Sequence, residues 1–359
     1  MVKKGTRIVW MVFLAAWTGI ALADDGLRSA SSEEQNVTEH VAVWYVTIRN
    51  SETQRSAGDI YGGLRGKQCM GIGSMTFTRI PALGDIADAA PFYIPDARIQ
   101  LNHVNEFKPT QFWEKIDAFA NEHDGKIIFY VHGYNVGFEK SCRQAAIMQR
   151  SLHPQHRLLL FSWPADGNLL SYTRDEADLV WSVPQLADML QKLAQYVGPE
   201  RLDVVAHSLG TRGVVLALSR MACRASIGPL INELVLVAAD IDRDHFLDAW
   251  PRIRPLVRHT TLYASENDRA LRASHEAHGY PRLGEAGEHL SVLAGIETID
   301  VSTAGMRRFS GHIYHLYHPA IAADIQMLLN TGKAADERVN LRRVTRESGP
   351  YWRLDPKDQ

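Results

Sequence analysis

Residues 202–218, LDVVAHSLGTRGVVLAL, constrain the fold of this 359-residue chain more than any other stretch. Residues 203–206 are Val-rich and too short a run for a helix, so they read as a buried strand. Residues 213–219 read as a packed helix. Between them Ala206-His207-Ser208-Leu209-Gly210 must turn the chain sharply. Small residues stand two before and two after Ser208, as they must where backbone passes close to backbone. The pattern matches the G-x-S-x-G elbow, with Ala206 at the first small position and Gly210 at the second. An elbow holds its serine strained, with the hydroxyl at the top of a sheet. The plainer reading is an ordinary strand–turn–helix link, and the rest of the chain has to decide between them.

Apolar strands alternate with amphipathic helices on both sides of this segment. A strand over 127–131 ends in His132-Gly133-Tyr134-Asn135, and a helix follows over 138–152. A strand over 157–161 ends in Ser162-Trp163-Pro164, followed by a helix over 176–196. Strands over 233–238 and 260–264 end near Asp240 and Asp268; a last strand over 297–301 precedes a last helix over 320–329. This alternation predicts an α/β fold, a mostly parallel central sheet with helices on both faces. In such sheets ligands gather at the carboxyl ends of the strands, where His132, Ser208, Asp240 and Asp268 all fall. Upstream, residues 41–48 predict a strand, the Gly-rich 58–73 a loop, 69–78 a second strand and 110–121 a helix; 81–95 looks irregular.

Lys3, Lys4 and Arg7 precede an apolar run over 8–22, and Ala21-Leu22-Ala23 supplies small residues for a signal peptidase. The run is shorter than the roughly 20 residues of a spanning helix. The expected organisation is a signal peptide over 1–23, a flexible leader over 24–40, one domain over 41–330 and a charged tail over 331–359. The tail carries Tyr351, Trp352 and Leu354 as anchors. The mature protein is then periplasmic or secreted, without a stable membrane anchor, and its formal charge moves from −2 to −5. With no basic block, nucleic acid is not an expected partner. Export would allow one disulfide among Cys69, Cys142 and Cys223, although Cys142 and Cys223 fall in helical segments that favour small buried thiols. No cofactor is implied.

A serine hydroxyl needs a base to take its proton, and the base needs a third group to hold its tautomer. In sheets of this kind the order along the chain is nucleophile, acid, histidine. Ser208 is followed by Asp240 and Asp268, then by His312 beyond the last strand. His207 adjoins the serine but its side chain is directed elsewhere by the turn. His315 and His318 stand at helical spacing in exposed or capping roles; no H-E-x-x-H is present, and no metal is expected. Either aspartate can also cap the helix after it. Asp268 follows the usual strand for the acid, with Arg269 beside it to keep it ionised; Asp240 is the alternative. Two N–H groups should meet a developing oxyanion, those of Leu209 at the helix start and Tyr134 after the 127–131 strand.

The strings YGGLRG, YVHGYNVGFEKS, LFSWPADG, AHSLG, VAADIDRDHF, LYASENDRAL and SGHIY resemble, in order, those of the bacterial α/β-hydrolases of unknown function, esterase/lipase-like serine hydrolases. The resemblance covers residues 60–329. It implies the α/β-hydrolase fold, and Ser208, Asp268 and His312 as the matching triad positions; it implies no substrate.

The leading expectation is a serine hydrolase that cleaves carboxylic esters through an acyl-enzyme, acting on small acyl esters. A peptidase, thioesterase or acyltransferase would use the same residues. A non-catalytic binding or scaffold protein on the same fold would leave the Ser208 hydroxyl far from any histidine, its Gly-rich N-terminal segment serving a partner. Leu169, Leu170, Tyr172 and Trp181 wall an acyl pocket or pack as helix core. Without a long apolar lid insertion, short or medium acyl groups are expected.

Overall fold

Every residue of β4 (Ile127–Val131) is buried, and its side chains alternate between two separate apolar cores. Ile127, Phe129 and Val131 enter one core; Ile128 and Tyr130 enter the other. A strand covered on both faces reads as a continuous apolar run, which is why the segment shows no period of two in sequence. β5 (Arg157–Ser162), β6 (Leu202–His207) and β7 (Ile231–Val237) are likewise covered on both faces, with only Arg157 and Asn232 half-buried. Each such Val, Ile or Leu side chain contributes about 1.5–3 kcal/mol by burial.

The computed structural model describes residues 38–52, 56–79, 97–167, 171–223, 228–304 and 312–355. Three strands come first, β1 (Thr38–Ser51), β2 (Tyr61–Arg79) and β3 (Ala97–Phe107). The remaining strands are β8 (Val257–Ala264), β9 (Glu297–Asp300), β10 (Leu341–Arg346) and β11 (Gly349–Leu354). The helices are α1 (Pro109–Glu122), α2 (Phe138–Ser151), α3 (Tyr172–Val197), α4 (Leu209–Ala222), α5 (Arg243–Ile253), α6 (Arg269–His278), α7 (Tyr314–Tyr317) and α8 (Pro319–Thr331).

The described strands form one sheet of eleven, ordered β10-β11-β9-β8-β7-β6-β4-β5-β1-β2-β3. Pairing is parallel from β11 through to β1 and antiparallel only at the two ends. One core takes side chains from α1, α3, α4 and α5, the other from α2, α6, α7 and α8. The chain therefore has the expected α/β architecture, with helices on both faces. No helix among the described residues is long and apolar enough to cross a membrane.

Several boundaries differ from the expectation. Of the Gly-rich 58–73 segment, expected as loop, all from Tyr61 onward is strand, since β2 runs unbroken over nineteen residues; Ala57–Asp59 form a short 3-10 turn before it. The β2 glycines allow close approaches instead of turns: a Cβ on Gly71 would lie 2.1 Å from the Asn105 carbonyl oxygen. The leader expected over 24–40 ends sooner, since Thr38, Glu39 and His40 already belong to β1. Within the charged tail expected over 331–359 stand β10 and β11, which extend the sheet beyond β9 and bury Tyr351, Trp352 and Leu354. The signal peptide over 1–23 and the irregular 81–95 lie outside the described residues. All three cysteines are free. Cys142 is buried in α2, Cys69 is half-buried in β2, and Cys223 is exposed at the end of α4, contrary to the buried thiol expected there.

Candidate active site

Ser208 joins β6 to α4 at φ 54° and ψ −127°, a conformation that L-residues rarely adopt. Three backbone bonds hold it there. Its N–H donates to Val237 O (3.0 Å), and its carbonyl accepts from Thr211 N (3.0 Å) and Asp240 N (3.2 Å). The small residues have a steric reason. A Cβ on Gly210 would stand 2.5 Å from His132 O and 2.7 Å from Val131 O, so α4 can start beside β4 only with glycine there. Ala206 sits one step further back, within β6, and its methyl is accommodated in the core.

The Ser208 hydroxyl lies 2.6 Å from His312 Nε2, and His312 Nδ1 lies 2.8 Å from Asp268 Oδ2. A scaffold with the hydroxyl remote from histidine is not what the chain builds. Ser208 and Asp268 are buried, while the His312 side chain keeps 15% exposure toward the strand ends. Burial disfavours the charged imidazolium, but the Asp268 carboxylate outweighs it through its charge and its hydrogen bond, so the His312 pKa is raised above 6.5. Asp268 caps α6 at the same time, its Oδ1 accepting from Ala270 N (3.0 Å) and Leu271 N (3.1 Å). Capping and orienting are thus not alternatives here, since each carboxylate oxygen takes one task. No ion pair joins Arg269 to Asp268 among the described residues; the carboxylate meets the two N–H groups of α6 instead.

Asp240 goes elsewhere. Tyr172 Oη donates to its Oδ2 (2.8 Å), Ser274 Oγ donates to its Oδ1 (2.7 Å), and Arg282 Nε stands 3.3 Å from Oδ1. Nor does it cap the helix near Arg243, because Asp242 accepts from His245 N in that position.

The loop after β4 presses on the serine: a Cβ on Gly133 would meet Ser208 Cβ at 2.7 Å and His207 Nδ1 at 3.0 Å. Tyr134 follows on that loop, and Leu209 opens α4 directly after Ser208, where the first N–H groups have no helical acceptor and the dipole favours negative charge. Tyr134 and Tyr172 rings meet edge-to-face at 5.0 Å. Of the other residues set for an acyl wall, Leu169 and Leu170 lie outside the described residues, while Trp181 is capped by the Arg65 guanidinium 5.3 Å from its ring centre.

The histidines behind the site also differ from expectation. His315 is buried, its ring 4.3 Å from that of His207, and burial pulls its pKa down to about 3. His318 precedes α8 without capping it through its side chain, and its Nε2 donates to Ala304 O (2.6 Å). His207 Nε2 donates to the His312 carbonyl (2.9 Å), so the residue before the serine steadies the segment carrying the histidine. Among the described residues no group of three or more His, Cys, Asp or Glu is placed to hold a metal.

Sequence reasoning missed several supporting residues. Tyr314 Oη accepts from Ala238 N (3.0 Å) and donates to Tyr263 O (3.0 Å), tying the His312 segment to β8. Trp163 Nε1 donates to His132 O (2.8 Å) and stacks on the His132 ring at 5.1 Å. Both tryptophan and tyrosine occur in motif strings, but their partners are distant in sequence and carry no local signal.

The chain matches the model of a family described as alpha/beta hydrolase of unknown function (DUF900) over residues 108–331. It is 26% identical over 155 residues to an uncharacterized protein of Nostoc sp., across 36% of this chain and 40% of that one; it thus spans about two-fifths of that curated relative. A structure of EstE1, a thermostable carboxylesterase from a metagenomic library, aligns with 82% of this chain and 87% of its own at 11% identity. Its TM-score is 0.29, a likeness too loose to bear on fold or activity.

Proposed function

The chain belongs to the alpha/beta hydrolase family of unknown function, and from that premise we propose that it is a serine hydrolase of carboxylic esters working through an acyl-enzyme. The observation that carries the reading is the continuous run of hydrogen bonds from Ser208 Oγ through the His312 ring to Asp268 Oδ2. His312 Nε2 removes the Ser208 proton as Oγ bonds to the ester carbonyl carbon. The carbonyl oxygen becomes an oxyanion facing the N–H groups of Leu209 and Tyr134. His312 then hands the proton to the leaving alkoxide, the C–O bond breaks, and an acyl-Ser208 ester remains. Water enters by the same route in reverse and releases the acid. Asp268 stays ionised and stabilises the imidazolium.

The proposed substrate is a soluble ester with a short or medium acyl group, and the proposed location is periplasmic or extracellular, after removal of residues 1–23 as an export signal. The full mature chain should hydrolyse p-nitrophenyl butyrate and take a fluorophosphonate on Ser208, and Ser208→Ala should lose both. A folded sample that does neither would sink the reading. Faster turnover of emulsified long-chain triglyceride than of butyrate would overturn the acyl range. An intact N-terminus on protein recovered from the native cell would overturn export.

A further inference from the structure

Arg49 ends the inner half of β1, is 1% exposed, and uses all five guanidinium donors. Nε donates to Ser162 Oγ (2.9 Å), Nη1 to Gly62 O (3.2 Å) and Ala165 O (2.8 Å), Nη2 to Val136 O (2.7 Å) and to His132 Nε2 (3.4 Å). Every acceptor is neutral. The carboxylates whose charge acts on it are Asp175, fully buried in the first turn of α3, and more weakly Asp166. Asp175 Oδ2 accepts from Asn135 N (3.2 Å) and its Oδ1 from Asp166 N (2.9 Å).

The two side chains therefore grip the same two loops from opposite polarity. The cation takes the carbonyls of Val136 and Ala165; the anion takes the N–H groups of their neighbours, Asn135 and Asp166. The loop after β4 is also the one carrying Tyr134, and Asn135 holds a left-handed φ of 58° within it. Asparagine tolerates that conformation better than other side chains, which suits it to this turn.

The glycines of β2 make the grip sterically feasible. A Cβ on Gly63 would lie 2.8 Å from Asp166 Oδ1 and 3.1 Å from its Cα, and one on Gly66 would lie 2.3 Å from the Arg49 carbonyl oxygen. Arg65 Nε reaches Asp178 on α3 at 2.5 Å, pinning β2 beside the Asp175 turn. Arg49, Gly62, Gly63 and Gly66 all precede the residues that match the family model.

We propose that Arg49 and Asp175 are positioning residues that hold the 132–136 loop, with the Tyr134 N–H, against Ser208. The N-terminal strands are then part of the catalytic apparatus and not a module for a partner. The catalytic half of this inference rests on the serine hydrolase reading; the loop-holding half does not.

Arg49→Lys keeps the charge but not the five-pronged geometry, and Asp175→Asn keeps the shape but not the charge. Hydrogen exchange by mass spectrometry on the full chain should show amides of 133–137 and 165–167 exchanging at least about tenfold faster in both variants, with β6 and β7 unchanged. In the same samples kcat for p-nitrophenyl butyrate should fall about 100-fold, the scale of one lost oxyanion donor, with KM within about threefold of wild type. Wild-type exchange rates in both loops would overturn the proposal. So would acceleration spread evenly over the sheet, or kcat and KM worsening together, since either marks a general structural role. A wild-type chain inert to ester and fluorophosphonate would refute the hydrolase reading alone, and the exchange pattern would still decide the loop.

Discussion

The ends of β7 and β8 lie side by side on the carboxyl edge of the sheet, and each is followed by a buried aspartate, Asp240 and Asp268. Residue type, burial and station are nearly the same; the partners are not. At Asp268 the backbone of α6 satisfies one oxygen and leaves the other to His312. At Asp240 both oxygens are taken, by Tyr172 on one side and by Ser274 with Arg282 on the other. A carboxylate can orient a histidine only with an oxygen to spare, and a helix N-cap, whose N–H groups cluster on one oxygen, is a way of providing one. Asp240 reaches His312 only through its field, as a minor influence behind burial and Asp268.

The widest separation between the two sites should come from Asp268→Asn. The amide would present an N–H to His312 Nδ1 and favour the wrong tautomer, so kcat should drop by about 10⁴-fold with KM little changed. Steady-state kinetics on a soluble ester measures this, and Asp240→Asn should stay within about tenfold of wild type. The reverse result would exchange the two roles.

Stability should rank them the other way. Asp240 faces Arg282, which is 2% exposed and whose Nη2 has no hydrogen-bond partner, so Asp240→Asn removes the nearest anion from a buried cation. A loss of about 3 kcal/mol is expected in urea unfolding. A variant as stable as wild type would mean that Arg282 is compensated elsewhere.

The pH profile sharpens the contrast further. His312 must be neutral to act as base, and its pKa is raised because Asp268 outweighs burial. The acid limb of kcat/KM should therefore have its midpoint above 6.5, falling about tenfold per pH unit below it. Asp268→Asn should move that midpoint down strongly and Asp240→Asn only slightly. For folding the sign is opposite: a raised pKa adds stability that is fully present below pH 6.5 and lost as pH rises through the folded value. His315, held down to about 3, behaves inversely and costs stability as pH falls from 6.5 toward 3.

The smallest effect should come from Tyr172→Phe, which removes one of Asp240's donors and leaves Ser274 and Arg282 in place. About 1 kcal/mol in thermal unfolding, with kcat unchanged within about twofold, is expected. A large fall in kcat would show that the Asp240 network reaches the chemistry after all.

The alternating strands and helices of residues 127–331 were legible because each carries its own period and its own punctuation, and neighbouring strands are neighbours in the sheet or nearly so. The Gly-rich 61–73 stretch was not, since glycine marks a turn and a close backbone approach with the same letter. The C-terminal residues read as a tail because β10, the last strand at its end of the sheet, leaves most of its side chains in solvent; of the two strands only β11 carries buried side chains, three of its six. The stations of Ser208, Asp268 and His312 followed from chain order. His315 differs from the expectation because its spacing shows nothing of the His207 ring, distant in sequence, that it packs against.

The sequence by itself determined the parallel sheet, the elbow and the shortlist of acids, because burial on both faces, the steric demand for glycine at 210 and the order of strand ends are local or periodic properties. Strand order ranked Asp268 ahead of Asp240; the tertiary structure supplied the partners that separate them, and only it revealed Arg49 and Asp175. Those choices depend on which side chains meet across 44 residues, from Asp268 to His312, or across 87, from Arg49 to Val136, and no local pattern encodes such meetings. A buried charge is costly unless its partners satisfy it, and the partners are assembled only when the sheet closes.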